Sequence, residues 1–253
     1  MLFGALIIGD EILSGKRQDK HMARLVAALK ARGLQLSWCE YLGDDPALIT
    51  SVLARTFAGD AAAVFSFGGI GATPDDHTRG CAARAAGVPL KLHPDAEAEI
   101  RGRFGDQVTP QRLTMGEFPD GADIIPNPYN RIPGFSLHRH YFLPGFPEMA
   151  WPMMEWVLDT HYGALFDPGR IAEASIVVRE AGESQLISLM NATLERYPQL
   201  KVFSLPRLEP DRHIELGARG DPGQVAAAIA AIQAGVSALG FPWTPGPAQP
   251  PTV

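Results

Sequence analysis

A glycine-rich segment that joins an apolar run to a helical pattern most constrains the fold of this chain. The apolar run, residues 61–67, predicts a buried strand. The sequence Gly68-Gly69-Ile70-Gly71-Ala72-Thr73-Pro74-Asp75-Asp76 follows, and apolar residues then return at helical spacing until Gly87. Strand, glycine loop and helix in this order bring backbone N–H groups together beside the positive end of a helix. The segment therefore predicts an anion-binding site.

The glycine loop differs from the common phosphate-binding loops in its second half. It has no Gly-Lys-Ser/Thr ending, which excludes a P-loop, and Pro74 stands where a dinucleotide fingerprint needs its third glycine. It carries the carboxylates of Asp75 and Asp76 in place of a lysine. Carboxylates beside phosphate repel it unless a divalent cation bridges them, so the loop predicts metal-assisted phosphate chemistry. On spacing alone, an ordinary strand-to-helix turn with Asp76 as the N-cap is the alternative.

Strands and helices alternate along the first part of the chain. Residues 2–8 predict a strand covered on both faces, residues 36–42 a second strand and residues 61–67 a third. Apolar residues at helical spacing lie between them: Met22, Leu25, Val26 and Leu29 after an N-cap at Asp19, then Leu48, Ile49, Val52, Leu53 and Phe57 after Asp45 and Pro46. Strands that alternate with helices through short loops predict a parallel sheet with helices on both faces.

Acidic residues follow each of the three predicted strands. Glu11 stands in Gly9-Asp10-Glu11-Ile12-Leu13-Ser14-Gly15, Asp44 follows the second strand, and Asp75 and Asp76 follow the third. Each acid alone is more often a cap or a solvated turn residue. Ligands of open α/β sheets bind at the carboxyl ends of the strands, where these loops meet. The three acidic loops together therefore predict a site for a cation and a phosphate.

Two proline-containing turns lie further along. One includes Asn127, and the other is Pro144-Gly145-Phe146-Pro147, with Pro147 at the first position of a predicted helix. Four alternating apolar residues between them predict a pair of short strands: Phe135, Leu137, Tyr141 and Leu143. Each turn is either a rigid connection or a wall of the ligand pocket.

Residues 170–240 predict a small α+β domain in the order β-α-β-β-α. We assign it no chemistry, because it is poor in glycine loops and clustered carboxylates. Residues 241–253 are rich in proline and predict a loose tail. His138 and His213 are interpreted as surface residues of strands.

Composition excludes several functional classes. The net charge of -6 and the lack of a basic stripe argue against nucleic-acid binding. The two cysteines, Cys39 and Cys81, stand in core-like segments and do not suggest a disulfide scaffold. No apolar run is long enough to cross a bilayer, and residues 2–8 are too short for a cleavable signal. We therefore expect a cytoplasmic protein.

The motifs at residues 9–15, 68–78 and 144–147 resemble the molybdopterin-binding domain family of MoaB and Mog proteins. Within it they are most similar to the amino-terminal part of CinA proteins and to a domain of eukaryotic FAD synthases. The resemblance covers about residues 1–162. It implies a three-layer α/β/α domain with a mostly parallel sheet at residues 1–165, and a KH-like domain at residues 170–240. The second domain lacks a basic Gly-x-x-Gly loop, so we expect no RNA binding. The carboxyl-terminal amidase domain of CinA, which acts on nicotinamide mononucleotide, has no room in this sequence, and we expect it to be absent.

The resemblance implies two activities. CinA-like members cleave the diphosphate of ADP-ribose, and the FAD-synthase relative is linked to FAD hydrolysis, with a divalent metal and potassium. Molybdenum-cofactor members bind molybdopterin and activate it with ATP. Both reactions make or break a phosphoanhydride at a metal, which agrees with carboxylates beside a glycine loop. We expect a nucleotide diphosphatase that uses magnesium or cobalt. Molybdopterin binding or adenylylation, and a non-catalytic nucleotide-binding module, are the alternatives.

The match to the family's motifs also implies roles for individual residues of this chain. Asp76 matches a metal or catalytic aspartate of the family, Asp44 a functional aspartate, Thr78 the closing threonine and Glu11 the acid of the first motif. We assign catalysis to Asp44 and Asp76, and metal binding to Glu11, Asp75 and Asp76. We assign nucleotide or phosphate binding to Gly9, Gly68, Gly69, Gly71, Thr73, Thr78, Asn127, Pro144 and Gly145. Ala72 stands where the family usually has proline, and His21 where it usually has asparagine. Members of the family usually form homo-oligomers, so the resemblance implies a homo-oligomer.

Overall fold

The computed structural model describes residues 2–208 and 210–247, which divide into a first unit, Met1–Phe166, and a second unit, Asp167–Val253. The strands of the first unit are β1 Phe3–Ile8, β2 Leu36–Leu42, β3 Ala63–Phe67, β4 Leu90–Leu92, β5 Glu117–Pro119, β6 Asp123–Ile125, β7 Gly134–Leu137 and β8 His140–Leu143. Its helices are α1 Asp10–Leu13, α2 His21–Ala31, α3 Pro46–Phe57, α4 Thr78–Ala86, α5 Pro94–Phe104, α6 Pro110–Leu113 and α7 Pro147–Tyr162. None of the helices in the residues described could cross a membrane.

The sheet of the first unit has the strand order β2-β1-β3-β8-β7-β6. Strands β2, β1, β3 and β8 are parallel, and β7 is antiparallel to both of its neighbours. Alternate residues of β1 enter different cores: Phe3 and Ile7 pack on the side of α2 and α7, and Leu6 packs on the side of α3 and α4. The first unit therefore has three layers, as the sequence predicted.

Local signals placed several helix ends correctly. The carboxylate of Asp45 accepts hydrogen bonds from the backbone N–H groups of Ala47 and Leu48, with Pro46 at the first helical position of α3. Asp19 accepts from the N–H groups at the start of α2. Gly87 ends α4 with a φ of 70°.

The predicted apolar stripes of α2 and α3 were too wide. Met22, Val26 and Leu48 are 38%, 40% and 46% exposed. On α2 the buried stripe is centred on Leu25 and Leu29, which are fully buried, and Met22 and Val26 lie at its edges. Apolar residues at helical spacing thus identified the helix but not the width of its buried face.

The second unit contains β9 Ala172–Val178, α8 Glu183–Arg196, β10 Lys201–Arg207, β11 His213–Gly220, α9 Pro222–Ala238 and β12 Trp243–Pro245. Its strand order is β10-β11-β9-β12, and all pairs are antiparallel. Both helices pack on the sheet through a core that includes Ile176, Leu186, Leu216 and Ile232. The order β-α-β-β-α agrees with the interpretation of the sequence, apart from the added strand β12.

The proline-rich segment is ordered where the structure describes it, so the prediction of a loose tail was wrong there. Trp243–Pro245 pairs with β9, the indole N–H of Trp243 donates to Oγ of Ser237 at 2.9 Å, and the N–H of Gly246 donates to the carbonyl of Ser175 at 2.9 Å. The open edge of β9 offers these backbone partners, which composition alone does not reveal. Residues 248–253 of the predicted tail lie outside the described residues.

Candidate functional site

Four parallel strands end at one edge of the first sheet and bring their loops together. The N–H of Gly9, after β1, donates to the carbonyl of Leu42 at the end of β2 at 3.0 Å. The N–H of Gly68, after β3, donates to the carbonyl of Leu143 at the end of β8 at 3.0 Å. Pro144 and Gly145 follow β8, and a Cβ added to Gly145 would lie 3.6 Å from the Cα of Gly68. The glycine loop therefore touches the turn at residues 144–147.

The first two glycines of the glycine loop are required by its geometry. Gly68 has a φ of 105°, and a Cβ there would lie 2.1 Å from the carbonyl oxygen of Ile8. Gly69 has a φ of 68°, and its Cβ would lie 2.3 Å from Oγ1 of Thr78. Thr78 closes the loop: its N–H donates to the carbonyl of Gly69 at 2.9 Å and its hydroxyl donates to the carbonyl of Gly68 at 3.1 Å.

The middle of the loop presents unused backbone donors. Among the residues that the structure describes, the N–H groups of Gly69, Ile70, Gly71 and Ala72 donate to no other backbone group. No side chain caps α4, because its N-cap residue, His77, makes no side-chain capping bond, although the N–H of Thr78 is already used by the carbonyl of Gly69. Backbone donors without a partner near a helix N-terminus suit phosphate oxygens.

Asp76 shapes the glycine loop and does not cap α4, so its interpretation as an N-cap was wrong. Its Oδ2 accepts from the N–H of Thr73 at 2.8 Å and from the hydroxyl of Thr73 at 2.5 Å. A Cβ on Gly71 would lie 2.5 Å from the same oxygen. Asp76, Thr73 and Gly71 thus define one compact turn.

Asp10 and Asp44 link the loops after β1 and β2. The N–H of Asp10 donates to Oδ2 of Asp44 at 2.8 Å, and the N–H of Asp44 donates to Oδ1 of Asp10 at 3.2 Å. Partial burial raises the pKa of Asp44, and the carboxylates of Asp10, Glu11 and Asp75 raise it further, against the opposing effect of the N–H bond. Four carboxylates from three loops therefore crowd one edge of the sheet.

This crowding does not form a complete metal site. In the described part of the chain, no three His, Cys, Asp or Glu side chains are placed to hold a metal together, so Glu11, Asp75 and Asp76 are not gathered as a ligand set. Magnesium is usually bound by one or two carboxylates together with water and substrate phosphates. The residues present fit a metal that arrives with a phosphate ligand, and they do not fit an ion held by protein alone.

Arg79 is a buried part of the site that the sequence did not reveal. It is 7% exposed, its Nη2 donates to the carbonyl of Gly71 at 2.6 Å, and its Nη1 donates to the carbonyls of Thr114 and Glu117. Burial lowers the pKa of its guanidinium. Arg79 therefore ties the glycine loop to a segment 35 to 38 residues away in sequence. In the sequence, only its position directly after Thr78 indicated that Arg79 could belong to the site.

His21 supports the turn after β8. The ring is 6% exposed and stacks on Phe67 at 4.6 Å, and its Nε2 lies 3.1 Å from the carbonyl of Gly145. Burial lowers the pKa of His21, so the ring is neutral and the nitrogen facing Gly145 is assigned the proton. His21 thus holds the 144–147 turn in place.

Asn127 has a structural role. It is 5% exposed, and its amide nitrogen donates to Oδ1 of Asn130 and to the carbonyl of Ile132, each at 2.9 Å. Its Oδ1 accepts from the N–H of Tyr129 at 3.0 Å. Both amide hydrogens are used within the turn, so Asn127 has no donor left for a nucleotide, contrary to the prediction.

Comparisons with known proteins agree with this architecture. A family described as a probable molybdopterin binding domain matches residues 4–162. A CinA-like protein of Anaeromyxobacter sp. strain K is 36% identical over 181 residues, which are 68% of this chain and 43% of that protein. A CinA-like protein of Myxococcus xanthus is 30% identical over 241 residues, 90% of this chain and 56% of that protein. The chain thus spans about half the length of these relatives.

A solved structure is also similar to this chain. The crystal structure of the protein CinA from Thermoplasma acidophilum, described as of unknown function, is 27% identical and has a TM-score of 0.58. The match covers 63% of this chain and 98% of that one. It agrees with the three-layer fold and the mostly parallel sheet.

Proposed function

The chain belongs to the family of probable molybdopterin-binding domains, and from this premise we propose that it is a metal-dependent nucleotide diphosphatase. The substrate class is a diphosphate of the ADP-ribose or FAD type, in which a nucleoside is joined through two phosphates to a second group. One juxtaposition carries the proposal. The open N–H groups at residues 69–72 lie at the same sheet edge as the crowded carboxylates of Asp10, Glu11, Asp44 and Asp75.

The glycine loop binds the diphosphate in this proposal. Gly69 and Gly71 present backbone N–H groups to phosphate oxygens, and the N-terminus of α4 adds its positive end. Thr78 and Arg79 hold the loop carbonyls from behind, so that the donors keep their direction. Preorganised donors of this kind stabilise the charge that develops on a phosphate during hydrolysis.

Asp44 acts as the general base. Burial and three neighbouring carboxylates raise its pKa, which makes it a better proton acceptor than an exposed aspartate. It takes a proton from a water molecule as the water oxygen bonds to one phosphorus, and the bridging oxygen leaves with the other phosphate. The products are a nucleoside monophosphate and a second phosphate ester.

A divalent metal, magnesium or cobalt, would neutralise the diphosphate when it is bound; Glu11, Asp75 and Asp76 are not placed to share one ion, so each would offer it at most a single carboxylate. Potassium is a further candidate cofactor through the resemblance to the family. The carboxylates contribute at most part of the coordination, and the phosphates supply the rest.

The family description favours a second candidate function. A probable molybdopterin binding domain would use the same glycine loop for the phosphate of molybdopterin or for ATP in an adenylyl transfer. A non-catalytic nucleotide-binding module would use the loop without turnover.

The deciding experiment measures release of AMP from ADP-ribose and from FAD, with magnesium or cobalt, with and without potassium, and with a chelator. Metal-dependent AMP from either substrate, lost in Asp44→Asn, supports the diphosphatase. No AMP under any condition contradicts it. A thermal shift with molybdopterin or with ATP alone would then favour the second candidate.

A further inference from the structure

We propose that two copies of this chain associate through the open edge of β2, with the two β2 strands antiparallel and exposed apolar residues of α2 packed between the copies. The strand order of the first sheet is β2-β1-β3-β8-β7-β6, so β2 is an edge strand. In the part of the chain that the structure describes, β2 pairs with β1 alone. The inference goes beyond the proposed function and does not depend on it.

The edge of β2 carries few of the features that keep edge strands from pairing. The strand is seven residues long, Leu36–Leu42, and contains neither lysine nor proline. Its one charged residue, Glu40, binds Arg55 of α3 at 2.7 Å. A bulge at Ser37 interrupts the pairing with β1, but residues 38–42 pair in regular register. Long edges that are not blunted offer free N–H and C=O groups to another strand. Residues 38–42 are therefore open to such a strand.

The other edge strands of the two larger sheets are protected. β6, at the opposite edge of the first sheet, is three residues long and is followed directly by Pro126. In the second unit, β10 contains Pro206, and β12 is three residues long and contains Pro245. Proline cannot donate a hydrogen bond to a neighbouring strand and is typical of protected edges. β2 differs from all three.

An exposed apolar strip lies beside the edge of β2. It consists of Met22, Val26 and Tyr41, which are 38%, 40% and 40% exposed. Met22 and Val26 stand one turn apart on α2, and the hydroxyl of Tyr41 on β2 lies 3.4 Å from Sδ of Met22. The three side chains therefore form one patch. The two α2 residues that made the predicted stripe wider than its buried face belong to this patch.

A twofold axis perpendicular to the sheet lets a second copy cover both features at once. The axis pairs β2 with β2 of the second copy in antiparallel orientation and extends the sheet. It also keeps both α2 helices on one face of the extended sheet, where each apolar strip lies beside the strip of the other copy. The same surface then serves on both copies, as it does in isologous dimers.

The charges at the two ends of β2 favour a second copy in this orientation. Asp44 and Asp45 follow the carboxyl end of the strand, and Lys30 and Arg32 precede its amino end. Antiparallel pairing brings the acidic end of one copy beside the basic end of the other. Arg32 already binds Asp159 at 2.7 Å, whereas Lys30 takes part in none of the ion pairs found among residues 2–208 and 210–247. Lys30 is therefore available to the aspartates of the second copy.

Analytical ultracentrifugation of the full chain over a range of concentrations tests the inference. Val26→Lys places a charge inside the apolar strip, and we expect the dissociation constant of the dimer to rise at least about tenfold. Lys30→Glu should raise it about fivefold, because a carboxylate then faces Asp44 and Asp45. Tyr129→Lys is the matched control, since Tyr129 is 64% exposed on the loop between β6 and β7, away from β2. It should leave the dissociation constant unchanged.

Amide hydrogen exchange locates the interface. Exchange at residues 38–42 should slow as the concentration of the natural chain rises, and Val26→Lys should remove this effect while circular dichroism shows an unchanged fold. A natural chain that is monomeric at every concentration overturns the inference and leaves the edge to a strand of another protein. A dimer that neither Val26→Lys nor Lys30→Glu weakens, or that Tyr129→Lys weakens equally, overturns it too. So does a dimer whose exchange at residues 38–42 is independent of concentration.

Discussion

Asp10 and Asp44 hold each other's loops: each backbone N–H donates to the carboxylate of the other, at 2.8 and 3.2 Å. Gly43 leaves room for this exchange, since a Cβ there would lie 2.5 Å from Oδ1 of Asp10. The proposed base is therefore positioned by a residue that follows a different strand. Loss of the acceptor oxygen at Asp10 should therefore act on catalysis through Asp44.

Replacement of the proposed base is the first prediction. Asp44→Asn keeps an oxygen that accepts the N–H of Asp10 but cannot take a proton from water. We expect the rate of AMP release to fall by about 10²-fold or more, with little change in the melting temperature. Asp10→Ala should lower the rate as well, because the Asp44 loop loses its partner, whereas Asp10→Asn should retain most of the activity. Full activity in Asp44→Asn would exclude its role as base.

Asp76 has two separable contributions. Asp76→Ala removes both hydrogen bonds from Thr73, so the glycine loop should lose its shape, its affinity for phosphate and the hydrolysis. Asp76→Asn keeps an acceptor for Thr73 and removes the charge. We expect it to bind AMP nearly as the natural chain does while hydrolysis is lost, as measured by calorimetry and AMP release. If both variants hydrolyse the substrate as fast as the natural chain does, Asp76 has no role in hydrolysis.

The glycine loop should tolerate no side chain at Gly68. Gly68→Ala combines a left-handed residue with a Cβ at 2.1 Å from the Ile8 carbonyl oxygen, and we expect the free energy of unfolding to fall by about 3 kcal/mol. Gly15 is the matched control, because its φ is 73° and nothing lies within 4 Å of its Cβ. Gly15→Ala should lower the free energy of unfolding by only about 1 kcal/mol. Urea unfolding measures both, and equal losses would contradict the steric argument.

Arg79 should act on substrate binding more than on the chemical step. A lysine cannot reach the carbonyls of Gly71, Thr114 and Glu117 together, so Arg79→Lys should loosen the loop and leave a buried acceptor unpaired. We expect KM for ADP-ribose to rise about tenfold, with a loss of about 2 kcal/mol in the free energy of unfolding. Arg84→Lys, on the same helix, is the control. A change in kcat alone would argue against a positioning role.

The stability of the chain should depend on pH through His140. This residue is 1% exposed, its Nε2 lies 2.9 Å from Oγ1 of Thr56, and burial lowers its pKa to about 4. The unfolded chain has a pKa near 6.5, so between about pH 6.5 and pH 4 it binds a proton that the folded chain does not. Stability should fall as pH is lowered through this window, by about 3 kcal/mol in total. The lowered pKa of His21 acts in the same direction.

Urea unfolding at pH 4.5 and pH 7.5 checks the His140 prediction. His140→Gln keeps a polar side chain and cannot titrate, so its stability should differ less between the two pH values than that of the natural chain. An equal pH dependence in both proteins would show that other groups carry it.

Much of the first unit was predictable because its signals are local. Asp45 and Pro46 begin α3, Gly87 ends α4, and the positive φ of Gly68 and Gly69 lies where the glycines predicted a tight loop. These features depend on residues within a turn or two of each other. The strand-helix alternation then placed the acidic loops at one edge, because parallel strands end on the same side.

The sequence by itself determined the strands, the glycine loop and the presence of acids at the sheet edge, since each depends on neighbouring residues and on the repeat of the backbone. Tertiary structure alone decided which groups meet: Asp10 with Asp44, Arg79 with Thr114, His21 with Gly145, and β12 with β9. Their partners lie far away in sequence, and packing selects among many equivalent polar groups. For the same reason only the structure separated Asn127, whose amide is used within its own turn, from the residues of the candidate site.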